Sequence, residues 1–286
     1  MKLVSFGPAG AERPGVLLPN EEVLDLAAAF PHWPRSWRGL LAEGLLPEIR
    51  HVVAAGEFGS DHRLALGAVS LAPPIPEPSK IIALGRNYAS HAAEQNRKVS
   101  ERPLLFAKAP TCLLPHGGTI VVPPQESKPD AEAEMALIIG RRAKNVPAEE
   151  ALDCVAAITA FNDVSGREAQ FGDKLWLRGK SYDTFGPAGP WAVTLDEAGD
   201  PDRLAISLKV NGSIWQQGTT AEMMVSSREI IAYVSAQMTL LPGDMIATGT
   251  PAGVGVFQDP PVFLQDGDRV EVSLENVGTL VNRVAR

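Results

Sequence analysis

Only two cysteines, Cys112 and Cys154, occur in the 286-residue chain, far apart and without metal-type spacing. That excludes a disulfide framework, and a reducing cytoplasm is the expected setting, with both thiols lining the core. Cationic charge is also scarce: 26 Lys and Arg stand against 34 Asp and Glu, a formal net charge of −8. Binding along a phosphate backbone needs clustered Lys and Arg, so nucleic acid is not expected as a partner. An anionic small molecule is not excluded, because a metal and a few placed cations dominate locally. No run of about 18 apolar residues is present, so no membrane span is expected. The opening Met1-Lys-Leu-Val-Ser-Phe-Gly is too poor in apolar residues for a signal peptide. Internal repeats and low-complexity tails are also lacking. What remains is a chain 45% hydrophobic and 21% charged, which predicts a well-packed soluble protein of one large domain, or a large one and a small one.

The most informative stretch is Asp130-Ala-Glu132-Ala-Glu134-Met-Ala-Leu-Ile-Ile-Gly140. The apolar run predicts a buried strand, in which residues i and i+2 point to one face. Glu132 and Glu134 then aim two carboxylates at one point. Like charges so placed repel, and burying them unpaired is costly; a cation between them removes both problems. The alternative is an exposed sheet face on which both glutamates meet water. Downstream, Asp163 closes a second apolar stretch where a strand meets its loop. It is a natural third oxygen ligand, unless Asn162-Asp163 is simply a turn or a helix cap. Three carboxylates with no His or Cys nearby in sequence suit Mg²⁺, Mn²⁺ or Ca²⁺ rather than zinc.

These motifs continue into Asn162-Asp-Val-Ser-Gly-Arg167-Glu-Ala-Gln170 and Trp176-Leu-Arg-Gly-Lys180-Ser-Tyr-Asp-Thr-Phe-Gly-Pro187. Gly85-Arg86-Asn-Tyr88-Ala-Ser-His91-Ala-Ala-Glu94 lies upstream, and Thr248-Gly-Thr250-Pro-Ala-Gly-Val-Gly255 downstream. Taken in this order, the chain from about residue 80 to 286 resembles the fumarylacetoacetate hydrolase family, in its acylpyruvase-like or 2-hydroxyhepta-2,4-diene-1,7-dioate isomerase-like branch. The resemblance implies Mg²⁺ or Mn²⁺, with Ca²⁺ able to replace it, held by Glu132, Glu134 and Asp163. It implies a lid carrying a His91–Glu94 dyad that activates water, and Lys180 as the cation that polarises the substrate. Arg86, Tyr88, Arg167, Gln170 and Thr250 are the expected substrate contacts. The expected reaction is metal-dependent cleavage of a C–C bond in a small 2,4-dioxo acid. Oxaloacetate-type decarboxylation, or isomerisation of an unsaturated 2-hydroxy or 2-oxo diacid, is the alternative on the same site. A binding protein for 2-oxo acids is a further one, and the family also implies a homodimer.

Read without that resemblance, several of these residues have a plainer account. His91 and Glu94, three apart on a predicted helix, share a face, and a carboxylate beside imidazole fixes its tautomer and raises its basicity. A solvated helix with an incidental pair is the ordinary reading, which the motif match reverses. Arg167 can hold a carboxylate or pair with Glu168. Lys108, in Phe106-Ala-Lys108, is either a surface charge or a site cation. His32, His51, His62 and His116 read as surface, packing or turn residues. The polar run 95–102 fits the edge of a flexible lid. The glycines of 249–255 permit close backbone approach to a ligand, and this stretch lacks the Gly-Lys-Ser/Thr ending of a phosphate loop.

The fold class expected is strand-rich α+β, with a mixed β-roll C-terminal domain and flanking helices implied by the resemblance. Residues 1–72 form a small N-terminal α+β domain, with strands near 1–6 and 15–18, a third running into a helix from Val23, and helical spacing over 37–56. Four prolines in the short stretch from Pro73 to Pro78 predict an extended linker over 73–79. The catalytic domain then occupies 80–286. Within it Pro147 and the acids after it predict a helix through Ile158, and Asn211-Gly212 a hairpin. Ser226 or Ser227 caps a helix, and the segment from Asp266 ends the chain as a hairpin.

Overall fold

The computed structural model describes residues 1–94 and 102–286. The strand Ala133–Ile139 is buried at every position and lies inside the larger sheet, paired antiparallel with Val155–Asn162 on one side and Met245–Ala247 on the other. A strand covered on both faces reads as a continuous apolar run rather than an alternation, which is what 135–139 shows. Its two faces nevertheless differ. Met135, Leu137 and Ile139 enter one core, and Ala136 and Ile138 another. Glu132 and Glu134 share the parity of Ala136 and Ile138 and so point to the second side.

Among the described residues this sheet has twelve strands. Beyond Met245–Ala247 come Ile81–Gly85, paired parallel, and Leu104–Lys108, paired antiparallel. In the other direction Val155–Asn162 is followed by Gly186–Val193, then Lys2–Phe6, Arg13–Leu17, Glu22–Asp25 and Arg63–Ala65. The N-terminal strands therefore continue the sheet that carries the glutamates, through Lys2 opposite Val193 and Leu3 opposite Ala192. A second sheet of five strands, in the order Ser213–Thr219, Ala205–Val210, Arg269–Leu274, Gly278–Ala285 and Thr119–Val121, covers one face. Ile206, Leu208, Val270, Val272 and Leu280 from it meet Leu137 and Ile158 in one core. The opposite core sets Leu3, Trp37, Leu40 and Ile49 against Ile81, Ala136 and Phe161. The fold is mixed α+β and strand-rich, as expected.

Three local readings change. The helical spacing over 37–56 resolves into two helices, Trp37–Ala42 and Leu46–Ala55, broken at Gly44, whose φ of +70° is left-handed and suited to glycine. The helix expected after Pro147 is a 3₁₀ segment, Ala148–Cys154, and Val155–Asn162 leaves it as a strand. Val155, Ile158 and Thr159 are β-branched, and the sheet offers them partners on both sides, so extended backbone wins. Over the proline-rich stretch, Leu71–Ala72 pairs with Lys2–Phe6, and Pro73, Pro74 and Ile75 are buried, so the segment is extended but packed. The hairpin at Asn211 (φ +50°) and Gly212 (φ +81°) and the capping box of Ser226 and Glu229 follow the sequence reading.

Candidate active site

The strands Ala133–Ile139 and Val155–Asn162 zip together at the end that carries the acids. Asp163 N donates to Glu132 O at 2.9 Å, and Glu132 N to the Asn162 side-chain oxygen at 3.2 Å. That register brings Glu132, Glu134 and Asp163 together, each offering an oxygen within 4.8 Å of the others, and all three are buried. The exposed-face alternative for the two glutamates is thereby set aside.

Two lysines reach this cluster. Lys180 Nζ donates to Glu132 at 2.8 Å and to Asp163 Oδ2 at 2.6 Å. It ends the short helix Leu177–Lys180, which packs closely because residue 179 is glycine; a Cβ there would meet Gln170 N and Gly166 O at 2.7 Å. Lys108 Nζ, also buried, donates to Asp163 Oδ1 at 2.6 Å, to Val164 O at 3.3 Å and to the Lys180 carbonyl. Of the two readings open for Lys108, the site cation is the one observed. Arg167 Nε donates to Asp130 at 2.9 Å, its Nη1 to Gln170 Oε1 at 2.8 Å, and its Nη2 stands 2.7 Å from Glu132. Glu168 pairs instead with Ser127.

The electrostatics separate the two glutamates. Burial alone would raise the Glu132 carboxyl, but Lys180 and Arg167 beside it outweigh burial and hold it well below the usual carboxylate range. Among the described residues, the Gly249 N–H is the one hydrogen-bond donor to Glu134, at 2.9 Å. Burial, then Asp163, then Glu132 push its carboxyl well above the usual range. Burial would lower the Lys180 ammonium, and Asp163 and Glu132 more than offset that. A buried carboxyl whose proton affinity is raised by two neighbouring acids is satisfied by a proton or by a cation. With an all-oxygen donor set, a hard divalent ion fits these residues.

His91 lies in the helix Ala89–Glu94, its Nδ1 2.5 Å from Glu94 Oε1, and the ring is buried. Glu94 Oε2 accepts from Gly253 N at 2.9 Å. The glycine-rich stretch thus serves the acids around the cavity. Gly249 N–H reaches Glu134, Gly253 N–H reaches Glu94, and Gly255 N–H reaches Asp130 at 3.0 Å. Positive φ at Gly249 (+98°) and Gly253 (+104°) makes that path accessible. The lid edge expected over 95–102 falls mostly on 95–101, outside the described residues.

A cavity of about 290 Å³ joins these groups. Glu132, Glu134, Lys180, Arg167, Gln170 and Thr250 line its polar part, with His91 and Arg86, while Leu84, Phe106, Trp176, Phe171 and Phe257 supply apolar wall. Tyr88 is fully buried and outside this lining, and its hydroxyl has no hydrogen-bond partner among the described residues. Thr250 lines the cavity, but its hydroxyl donates to Ala133 O at 2.7 Å and accepts from Gln216 Nε2 at 2.8 Å. Asp130, Gln216, Trp176 and Phe257 had no role in the sequence reading. Asp130 stood in the acidic motif, and its partners, Arg167 and the 255–256 backbone, lie far away in sequence.

The family described as "Fumarylacetoacetate (FAA) hydrolase C-terminal" matches residues 80–285. A mitochondrial oxaloacetate tautomerase of Bos taurus is 38% identical over 291 residues, 99% of this chain and 91% of that protein. The structure of maleylpyruvate hydrolase from Sphingobium sp. SYK-6, in complex with manganese(II) and pyruvate, superposes with a TM-score of 0.81 at 32% identity, over 100% of this chain and 99% of that one. The 5-carboxymethyl-2-hydroxymuconate delta-isomerase of Mycobacterium smegmatis gives 0.79 at 32% identity, over 100% and 99%.

Proposed function

Because this chain belongs to the fumarylacetoacetate hydrolase family, we propose that it is an enzyme that moves a proton at the carbon beside the 2-oxo group of a small 2-oxo acid, with keto–enol interconversion of oxaloacetate as the first candidate reaction. The observation that carries this reading is the His91–Glu94 pair opening on the same cavity as the buried carboxylates and Lys180. Binding alone would need the acids and the lysine but no imidazole–carboxylate pair. The name of the bovine relative supports the choice of reaction.

Glu132, Glu134 and Asp163 would hold Mg²⁺ or Mn²⁺, with Ca²⁺ able to replace them. When bound, the ion supplies Lewis-acid polarisation of the 2-oxo group. The chain's own residues do the rest. Glu94, itself held by Gly253 N–H, occupies Nδ1 of His91, so proton transfer falls to Nε2. Nε2 takes a proton from C3 of the keto form, the electron pair of that bond forms the enol double bond, and the C2 oxygen is protonated; the reverse steps restore the ketone. Lys180 keeps a positive charge at the end of the cavity where negative charge builds on that oxygen. The Gln170 carboxamide oxygen is held by Arg167, which leaves its NH₂ group to face a substrate oxygen. Thr250 reaches a substrate carboxylate as donor only if its hydroxyl leaves Ala133 O.

C–C hydrolysis of an acylpyruvate is the second reading, favoured by the likeness to maleylpyruvate hydrolase. There His91 takes the proton of a water that adds to the distal carbonyl. The C3–C4 bond breaks, the acyl part leaves as a carboxylic acid, and C3 is protonated to give pyruvate. Metal-stripped protein assayed with oxaloacetate and with acetylpyruvate, each with and without Mg²⁺ or Mn²⁺, separates the two. Metal-dependent decay of enol absorbance without pyruvate formation supports the tautomerase. Stoichiometric pyruvate from acetylpyruvate supports the hydrolase, and pyruvate from oxaloacetate alone means decarboxylation. A homodimer and a cytoplasmic setting are part of the proposal. Sedimentation at equilibrium should then give twice the 30.5 kDa chain mass.

A further inference from the structure

Asp130 stands outside the cavity lining, yet it is fully buried and reaches both halves of the site. Its Oδ1 accepts from Ala131 N at 2.9 Å and from Gly255 N at 3.0 Å. Its Oδ2 accepts from Arg167 Nε at 2.9 Å and from Val256 N at 3.0 Å, and Arg167 Nη2 stands 2.8 Å from the same oxygen. Two segments far apart in sequence thus share one carboxylate.

One of them is the glycine-rich loop. Gln216 supports it from the five-stranded sheet, donating to Thr250 Oγ1 at 2.8 Å and to Pro251 O at 2.7 Å. Asp130 supports it at 255 and 256. The fit is close at both supports. A Cβ on residue 253 would stand 2.0 Å from Trp215 O, and one on residue 255 would stand 2.6 Å from Asp130 Oδ1. From this loop the Gly253 N–H holds Glu94 Oε2 at 2.9 Å, and Phe257 meets the His91 ring edge-on at 6.1 Å. The loop therefore sets where the imidazole–carboxylate pair sits.

The other segment is the helix Arg167–Gly172. Arg167 holds Gln170 Oε1 at 2.8 Å and stands 2.7 Å from Glu132. Asp130 is itself tied to the acids: it lies two positions before Glu132, and its backbone pairs with Ser165, two positions after Asp163. Charge-assisted bonds to a carboxylate are the stronger polar contacts of a protein, and burial denies this one water as a substitute partner.

We propose that Asp130 is a positioning residue: it locks the loop that carries the His91–Glu94 pair to the arginine that holds Gln170 and faces Glu132. It thereby fixes the base relative to the groups that hold the substrate. The assignment rests on the general-base reading above and adds to it a residue that acts only through others.

The test compares the full-length wild type with Asp130→Asn, which keeps the shape and removes the charge, and with Gly255→Ala, which crowds the same contact from the loop side. The first readout is NMR hydrogen exchange of the Gly249, Gly253, Gly255 and Val256 amides and of Arg167 Nε–H. Asp130→Asn should speed exchange about ten- to a hundredfold at Gly253 as well as at Gly255, Val256 and Arg167, as loss of a charge-assisted bond implies. Gly249, held by Glu134, should exchange as in wild type. Gly255→Ala should reproduce the pattern, including the change at Arg167. Acceleration confined to the groups that touch Asp130, with Gly253 unchanged, makes it a local clasp and overturns the proposal. So does uniform acceleration that includes Gly249, which means general loosening. The second readout is turnover. Asp130→Asn should lower kcat about ten- to a hundredfold when His91 is present, and hardly at all in a His91→Ala background, where no base is left to misplace. An unchanged kcat in Asp130→Asn, or the same fold loss in both backgrounds, overturns the proposal if His91→Ala is itself slow. The expected exchange pattern with kcat untouched by His91→Ala would leave the coupling through Asp130 standing and sink the general-base reading instead.

Discussion

At His91 the ring nitrogen facing Glu94 is fixed and the ring is buried against the cavity wall. Removing a positioned general base lowers turnover by about 10²- to 10⁴-fold, so His91→Ala should lose kcat on that scale with KM little changed. Steady-state assay of whichever substrate the wild type turns over checks this, and an unchanged kcat would mean that the base has been misassigned. Lys108 should show its importance in stability. Truncating one partner of a buried ion pair costs about 3–5 kcal/mol, and Lys108→Met also removes the donor to the Lys180 carbonyl. Urea unfolding should reveal a loss of that order. Most individual site residues were legible in sequence because their chemistry is local: two glutamates in alternation, an aspartate at a strand end, an imidazole one turn from a carboxylate. Lys108 was only half legible. A lysine at the end of a strand is ambiguous until one knows that Asp163, 55 positions on, lies at 2.6 Å. Tyr88 shows the converse: it belongs to the motif yet sits outside the cavity lining.

Among the elements, the helix Ser227–Gln237 has the clearest local code. Ser226 accepts from Glu229 N while Glu229 accepts from Ser226 N, the reciprocal box its sequence announces. Ser226→Ala should cost about 1 kcal/mol, read as a lower thermal midpoint. The Glu229 carboxyl lies below its ordinary value because of the Ser226 hydroxyl, then the Ser226 backbone N–H. A depressed carboxylate contributes stability above its unfolded pKa and loses it as pH falls through the folded one. The gap between wild type and Ser226→Ala should therefore narrow on acidification below the usual glutamate range. Elements whose fate depends on distant partners were harder to read. Ala148–Cys154 has the proline and acids of a helix start, but the strand after it is claimed by neighbours on both sides. The break at Gly44 was visible only as a glycine, since helical spacing on either side of it is compatible with one helix or two.

For the molecule as a whole, ligand binding to the folded state alone adds stability in proportion to RT ln(1 + [L]/Kd), about 2.7 kcal/mol at a hundredfold excess over Kd. Mn²⁺ or Mg²⁺ should raise the thermal midpoint of chelator-treated protein, and Glu132→Gln should abolish most of that rise. No shift in the wild type would remove the metal assignment. No described helix is long and apolar enough to cross a membrane. The large sheet was legible as strands but not as one sheet, because pairing between distant segments leaves no mark in local spacing. That pairing bears on how the chain is made. Met1 bonds Thr194 across 193 positions, and Lys2 and Leu3 face Val193 and Ala192. On a ribosome adding about 5–20 residues per second, the strand Lys2–Phe6 waits roughly ten to forty seconds for Val193 and Ala192. During that interval Arg13–Leu17 covers one edge and Leu71–Ala72 covers Ser5 and Phe6 on the other, while the backbone of Lys2 and Leu3 lacks its later partners there. Synthesis slowed before residue 193 should therefore favour aggregation, and chaperones that shield nascent strands should matter more for this chain than its size suggests.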